Sequence, residues 1–286
     1  MALGLLEQNK SLDRSGLGLK KLQYDPFATK IGASIVGLYD FTTDRGKPSV
    51  LTAKTPPEAA INAQMANMLR DKAPATNIGI ERPYVSGALQ LLNGLSTQYI
   101  TLADEFNFTG KTDMLVGMPV KLRPPAEWND GTHTIFGLRQ GAGDAQYQFQ
   151  VRKIGGTASP QLDNVFWNTK SAGLENIGST RASKLTDLAG HMVWGYTQFD
   201  PALGARIMLF IDRELWYESG WKANGTTIAA VTGSATIGSG NGSGTNSGRF
   251  ETRGIVGCIP SLTGAAPLDI VQTWYDMNAA RLLTGW

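Results

Sequence analysis

Apolar and polar residues alternate along most of this chain with the two-residue period of half-buried β-strands. The alternation is cleanest at 146–152, QYQFQVR, where Tyr147, Phe149 and Val151 point one way and Gln146, Gln148, Gln150 and Arg152 the other. Such a strand has one buried and one wet face, as in an antiparallel sandwich. Comparable runs predict strands at 34–41 (SIVGLYDF), 88–92, 98–102, 114–122, 133–139, 163–168, 189–198 and 205–211. Asp212–Arg213 then joins IMLFI to ELWYES as a two-residue hairpin loop. Arginine suits a positive φ poorly, which leaves a longer turn open.

Two stretches break this period. In TPPEAAINAQMANMLRDK (55–72), Thr55 can cap, the prolines suit a first helical turn, and Glu58 stands in capping-box position. Ile61, Met65, Met68 and Leu69 then share a face, which predicts an amphipathic helix inside an insertion spanning 48–85. PLDIVQTWYDMNAARLL predicts a closing helix that starts at Pro267, with Ile270, Trp274, Met277 and Leu282 near one stripe. Residues 1–33 show no clean period and read as a partly apolar N-terminal docking arm, ahead of one domain at 34–286. The glycine-, serine- and asparagine-rich run 232–248 reads as a strand edge leading to a mobile loop. No period of 20–50 residues repeats, which argues against solenoids and propellers.

Composition narrows the classes further. Charged residues make up 17% of the 286, glycines number 34, and the hydrophobic fraction is 42%, a mix suited to an all-β protein with many tight turns and a sizeable core. A net charge of +2 without a Lys/Arg run argues against nucleic acid as a partner. The single cysteine, Cys258, excludes an internal disulfide and a cysteine zinc cluster, and within GIVGCI it reads as a small buried hydrophobe. MALGLLEQNKSLDRSG has polar residues where a signal peptide needs an apolar stretch, and no segment has the length of a membrane span.

The motifs, taken in order, resemble the concanavalin A-like jelly roll, specifically the laminin-G-like (LamG) domains of bacteria and their phages. Tyr39-Asp40-Phe41 resembles the end of the opening strand, Gly87-Ala88-Leu89 through Tyr99-Ile100 the small-residue segment, and Phe108-Thr109 through Val120 the strand that follows. His191-Met192-Val193 with Tyr196 resembles a later strand, and Leu209-Phe210-Ile211-Asp212 the hairpin, with Arg213 in place of the usual glycine. Ile237-Gly238, Phe250–Ile259 and the final helix complete the match over about 34–286. The resemblance implies an all-β fold: an antiparallel β-sandwich jelly roll with an N-terminal arm and a short C-terminal helix.

By analogy, the missing export signal, the absence of disulfides and the arm imply a tailed-phage virion protein, made in the host cytoplasm and without enzymatic activity. The first expectation is a tail, baseplate or fibre component that contacts the host surface or its glycans. The alternatives are a capsid decoration protein gripping the shell lattice, and a carbohydrate-binding module or glycan-active enzyme. Expected partners are other virion proteins through residues 1–33, further copies of the chain, and a host-surface glycan.

Residues able to do chemistry are sparse. A glycosidase needs two carboxylates flanking a bond, yet no E-x-D-x-x-E run exists, and the dense acidic places are Asp104-Glu105, Asp212 with Glu214, and Glu218. His133 and His191 lie in strand-like sequence without a G-x-S-x-G elbow and read as hydrogen-bonded strand histidines. No zinc spacing and no phosphate-loop lysine occur. No cofactor is expected; calcium at a sheet rim would have to draw on Asp104, Asp130, Asp144, Asn164 and Asp200, whose spacing does not bring them together. Glycan binding uses exposed rings, and Trp128, Trp167, Trp216 and Trp221 lie near expected loops or strand ends. These four are the glycan-site candidates, set against the plainer role of closing the sandwich ends.

Overall fold

The computed structural model describes residues 26–42, 58–69, 72–92, 98–128, 131–139, 146–154, 161–170, 177–178, 184–238 except 224, 226, 229, 231 and 232, then 246–247 and 249–286. Helix α1 (Pro26–Ile31) leads into β1 (Ile35–Asp40), followed by β2 (Glu58–Ala59), β3 (Gln64–Met65), β4 (Ala75–Ile78), β5 (Arg82–Val85), β6 (Ala88–Leu91) and β7 (Tyr99–Thr101). Then come β8 (Asp113–Leu122), β9 (Gly131–Arg139), β10 (Gln146–Ile154), β11 (Gln161–Lys170), β12 (Ile177–Gly178), β13 (His191–Asp200), β14 (Gly204–Ile211) and β15 (Glu214–Glu218). The chain closes with β16 (Thr236–Ile237), β17 (Asn246–Ser247), β18 (Phe250–Thr252), β19 (Gly254–Cys258) and helix α2 (Pro267–Leu282).

Two sheets form. The first runs β15-β14-β13-β8-β18-β6-β5-β2, with β19 beside β18 on the same edge of β8 and β1 beside β19. The second runs β12-β11-β10-β9-β16-β7-β4-β3. Among the described residues, every pairing is antiparallel except β17 with β9. The strands expected from alternation are present, and the fold is an antiparallel β-sandwich with a short C-terminal helix.

The main core lies between the sheets and includes Tyr39, Phe41, Phe106, Phe136, Tyr147, Phe149, Trp167, Leu209 and Phe250. Each such side chain, fully buried, contributes about 1.5–3 kcal/mol. Trp167 of β11 crosses to the first sheet and lies over Gly195 of β13, where a Cβ would stand 2.1 Å from the indole. Glycine is required there because the ring occupies the place of a side chain.

A second apolar cluster covers the outer face of the first sheet. Phe27 of α1 and Ile270, Val271, Trp274 and Leu282 of α2 pack there against Leu115, Met192, Trp194, Tyr196 and Phe210. The end of α2 is pinned twice. Arg281 donates to buried Asp40, and buried Arg253, between β18 and β19, donates to the carbonyls of Leu282, Thr284 and Gly285.

Three expectations are corrected. The helix expected over 55–72 does not form: within it, residues 58–69 make β2, a turn and β3, and Ile61 is 52% exposed while Met65 and Met68 are buried. Asn62 takes a φ of +61° there, which a helix cannot contain. The segment 48–85 thereby supplies strands to both sheets. Secondly, the face of β10 expected to be wet is buried at Gln148 and Gln150, with Gln150 Nε2 donating to Gln148 Oε1, and only half-buried at Arg152. Thirdly, the buried stripe of α2 takes in Val271 and Asn278, and leaves Met277 exposed. Of the docking arm, 1–25 lies outside the described residues, and Phe27 packs on the chain's own domain.

Candidate glycan-contact site

A partly exposed polar row stands on the outer face of β13 and β14, along the strands from the ground covered by α2. Side chains two apart share a strand face, so Trp194, Tyr196 and Gln198 line up. The first two lie in the helix-covered cluster, whereas Gln198 is only half-buried. Gln198 stands directly opposite Arg206 in the β13–β14 register. Arg206 Nε donates to Gln198 Oε1 at 2.9 Å, and its Nη1 donates to Glu218 Oε1 at 2.8 Å.

Trp221 completes the row, with the Arg206 guanidinium 4.8 Å from its ring centre. The cation draws on the ring's negative face, which fixes the indole's tilt. The backbone beneath is fastened to β14. Ser219 N–H donates to Ile207 O, and Ala205 and Lys222 exchange N–H···O bonds of 2.7 and 2.8 Å. Gly204, at φ +92°, lies so close to Lys222 O that a Cβ would stand 2.0 Å away. The adjoining turn holds Leu203, 52% exposed, with Asp200 Oδ1 accepting from the N–H groups of Ala202 and Leu203. The result is a half-buried ring beside a guanidinium, an amide and a carboxylate, all on a rigid support. An aromatic ring with planar polar groups suits a sugar, which offers both a C–H face and hydroxyls.

Of the four sequence candidates only Trp221 belongs to this row. Trp128 is 3% exposed, donates from Nε1 to Arg123 O, and meets His133 edge-on; Trp167 is 1% exposed and donates to Thr197 Oγ1. Neither ring can stack on a ligand, so both are corrected to core residues. Trp216 turns inward beside a bulge in β15 and packs on the main core, its indole N–H buried without an acceptor. Gln198 and Arg206 escaped the sequence reading because an isolated polar residue on a strand gives no signal until register is known.

Asp212, alone of the acidic candidates, is both buried and held by backbone and side chain. Asp212 sits at φ +58° in the β14–β15 turn, which spares Arg213 that conformation. Its Oδ1 accepts from Met192 N–H, and its Oδ2 lies 3.0 Å from His191 Nδ1. Asp187 Oδ1 lies 3.0 Å from the other ring nitrogen. Burial alone would push the His191 pKa down, but its hydrogen bonds to Asp212 and Asp187 outweigh that and raise it. Glu214 and Glu218 are exposed. Glu105 pairs with Lys72 at 3.6 Å. Buried Cys258 has its thiol pKa pushed up by desolvation.

Among the described residues no three His, Cys, Asp or Glu side chains gather as a metal site. Of the calcium candidates, Asp200 serves its turn, Asp130 and Asp144 lie outside the described residues, and Asp104 opens a short 3-10 turn. Nor is any helix among the described residues long and apolar enough to cross a membrane.

No protein-family model matches the chain, and no curated protein matches it. Solved structures do resemble it. A Trypanosoma rangeli sialidase with 2,3-difluorosialic acid as a covalent intermediate superposes with a TM-score of 0.52 and 13% identity, over 88% of this chain and 34% of that one. The botulinum neurotoxin serotype D binding domain gives a TM-score of 0.53 and 10% identity, over 87% and 52%. A type C structure, titled for cell entry dependent on two ganglioside molecules, gives 0.50 and 8%, over 82% and 52%. The chain thus spans about a third of the sialidase and half of the toxin chains. At these identities the likeness bears on fold alone, and these neighbours are β-sandwich domains of the jelly-roll kind.

Proposed function

We propose that this chain is a non-enzymatic binding module that contacts surface glycans through Trp221, Arg206, Gln198 and Glu218. The observation that carries this reading is the row itself, a half-buried aromatic and three polar groups on backbone held by the Ala205–Lys222 pairing. Neighbouring folds include a sialidase in complex with sialic acid and a toxin whose entry depends on gangliosides, which supports a saccharide as the ligand class. The buried Asp212 carboxylate ties Met192 and His191 to the β14–β15 turn, and this structural use of it supports a non-catalytic role. The virion setting, as a host-contacting tail, baseplate or fibre component, rests on analogy with the LamG-like domains of phages and is the biological context proposed here.

A saccharide array tests the reading. Wild-type protein is expected to bind a limited set of glycans, and Trp221→Ala to weaken that binding about tenfold or more, which is about 1.4 kcal/mol. Binding that survives both Trp221→Ala and Arg206→Ala, or no saccharide binding at all, would overturn it. In the second case, saturable binding to a capsid lattice would favour the decoration role.

A further inference from the structure

Strand β5 turns Arg82 and Tyr84 to the same, interior side, and both are buried, Arg82 at 2% exposure and Tyr84 at 7%. Arg82 lies opposite Ala59 of β2, and its Nε donates to Oδ1 of Asn77 on β4 at 2.7 Å, joining the two sheets at the sandwich end. Asn77 cannot turn to offer anything else. Its Nδ2 faces the carbonyls of Ala59, Ala60 and Ile80 at 3.2, 3.0 and 2.7 Å, which fixes Oδ1 toward the guanidinium. The guanidinium is therefore positioned by a neutral acceptor that supplies no charge.

Two donors on this face of β5 remain unmet. Arg82 Nη2 and the Tyr84 hydroxyl are both buried without a hydrogen-bond partner. Burial pulls the Arg82 pKa down to about 10, with no carboxylate acting against it, and burial likewise raises that of Tyr84. A buried cation without a counter-charge forfeits a large share of a domain's whole stability, so native structures supply one. Here the described side chains supply none.

We propose that Arg82, with the Tyr84 hydroxyl as second donor, holds a small inorganic anion of the chloride class between the end strands β2, β4 and β5. The neighbours of the site, Ala59 and the Asn77 amide, exclude a bulky organic anion by their close packing. The anion would tie the 58–69 segment to both sheets.

Wild-type protein crystallised in sodium bromide tests this directly. An anomalous difference peak within hydrogen-bond reach of Arg82 Nη2 is expected. In solution, replacing gluconate by chloride at constant ionic strength should raise Tm by about 5 °C, as for a ligand well above its Kd. Arg82→Gln should abolish that dependence. A water without anomalous signal at Arg82, or a wild-type Tm indifferent to halide, would overturn the proposal without needing the variant to fold.

Discussion

Trp167 makes three contacts that no surface ring would make. It stacks on Phe136 at 6.2 Å, donates to Thr197 and covers Gly195. Gly195→Ala is expected to cost about 1–3 kcal/mol, because the new methyl must displace a ring gripped on all sides; chemical denaturation reads the loss. His191 carries a second residue-scale expectation. Its folded pKa is raised, so the stability it adds is full below the unfolded value near 6.5 and is lost as pH rises through the folded value. Asp187 works oppositely: backbone and histidine hydrogen bonds overcome burial and lower its pKa, so its contribution fades as pH falls through the folded value. The Tm gap between wild type and His191→Gln should be widest near about pH 5–6 and narrow as pH rises through the raised folded value, with charge-assisted bonds worth about 1.5–3 kcal/mol at the maximum. A gap that widens with pH would contradict the raised pKa. Such roles were only partly legible beforehand. The spacing of His191 implied a strand histidine, but its two carboxylate partners come from a turn and a hairpin that sequence order does not bring together.

At the scale of elements, alternation located the long strands, although β8 and β13 turn out to be buried on both faces. It failed at 55–72, where Thr55, Glu58 and Ile61 satisfied a helical template on local grounds. Asn77 decided otherwise: its backbone N–H donates to Ala63 O, its carbonyl accepts from Asn62 N–H, and its side chain binds Ala59 and Ala60. Those non-local bonds hold the segment extended against its helical propensity. Helix α2 was legible from Pro267 and its period, but its partner surface was not. Trp274 is 2% exposed and meets Trp194 edge-on at 6.0 Å. Trp274→Ala should therefore cost about 3–5 kcal/mol and expose the outer face of the first sheet. Dye binding to that surface, with far-ultraviolet β signal retained, is the expected signature; an unchanged unfolding midpoint would contradict the packing.

The whole molecule is a three-layer arrangement, helices on one sheet and that sheet on another, with a polar row left open beyond the end of the helical cover. The sandwich could be read from the order and spacing of its motifs. The candidate site could not, since Gln198, Arg206, Glu218 and Trp221 converge only through strand register and the pairing of Ala205 with Lys222. Chemical-shift mapping with the best-bound saccharide gives the most direct test of that convergence. Its addition should shift the Trp221 indole N–H and the Arg206 Nε–H while leaving Trp128, Trp167 and Trp274 unmoved. Shifts centred on any other surface, with Trp221 and Arg206 silent, would contradict the assignment of this row as the glycan contact.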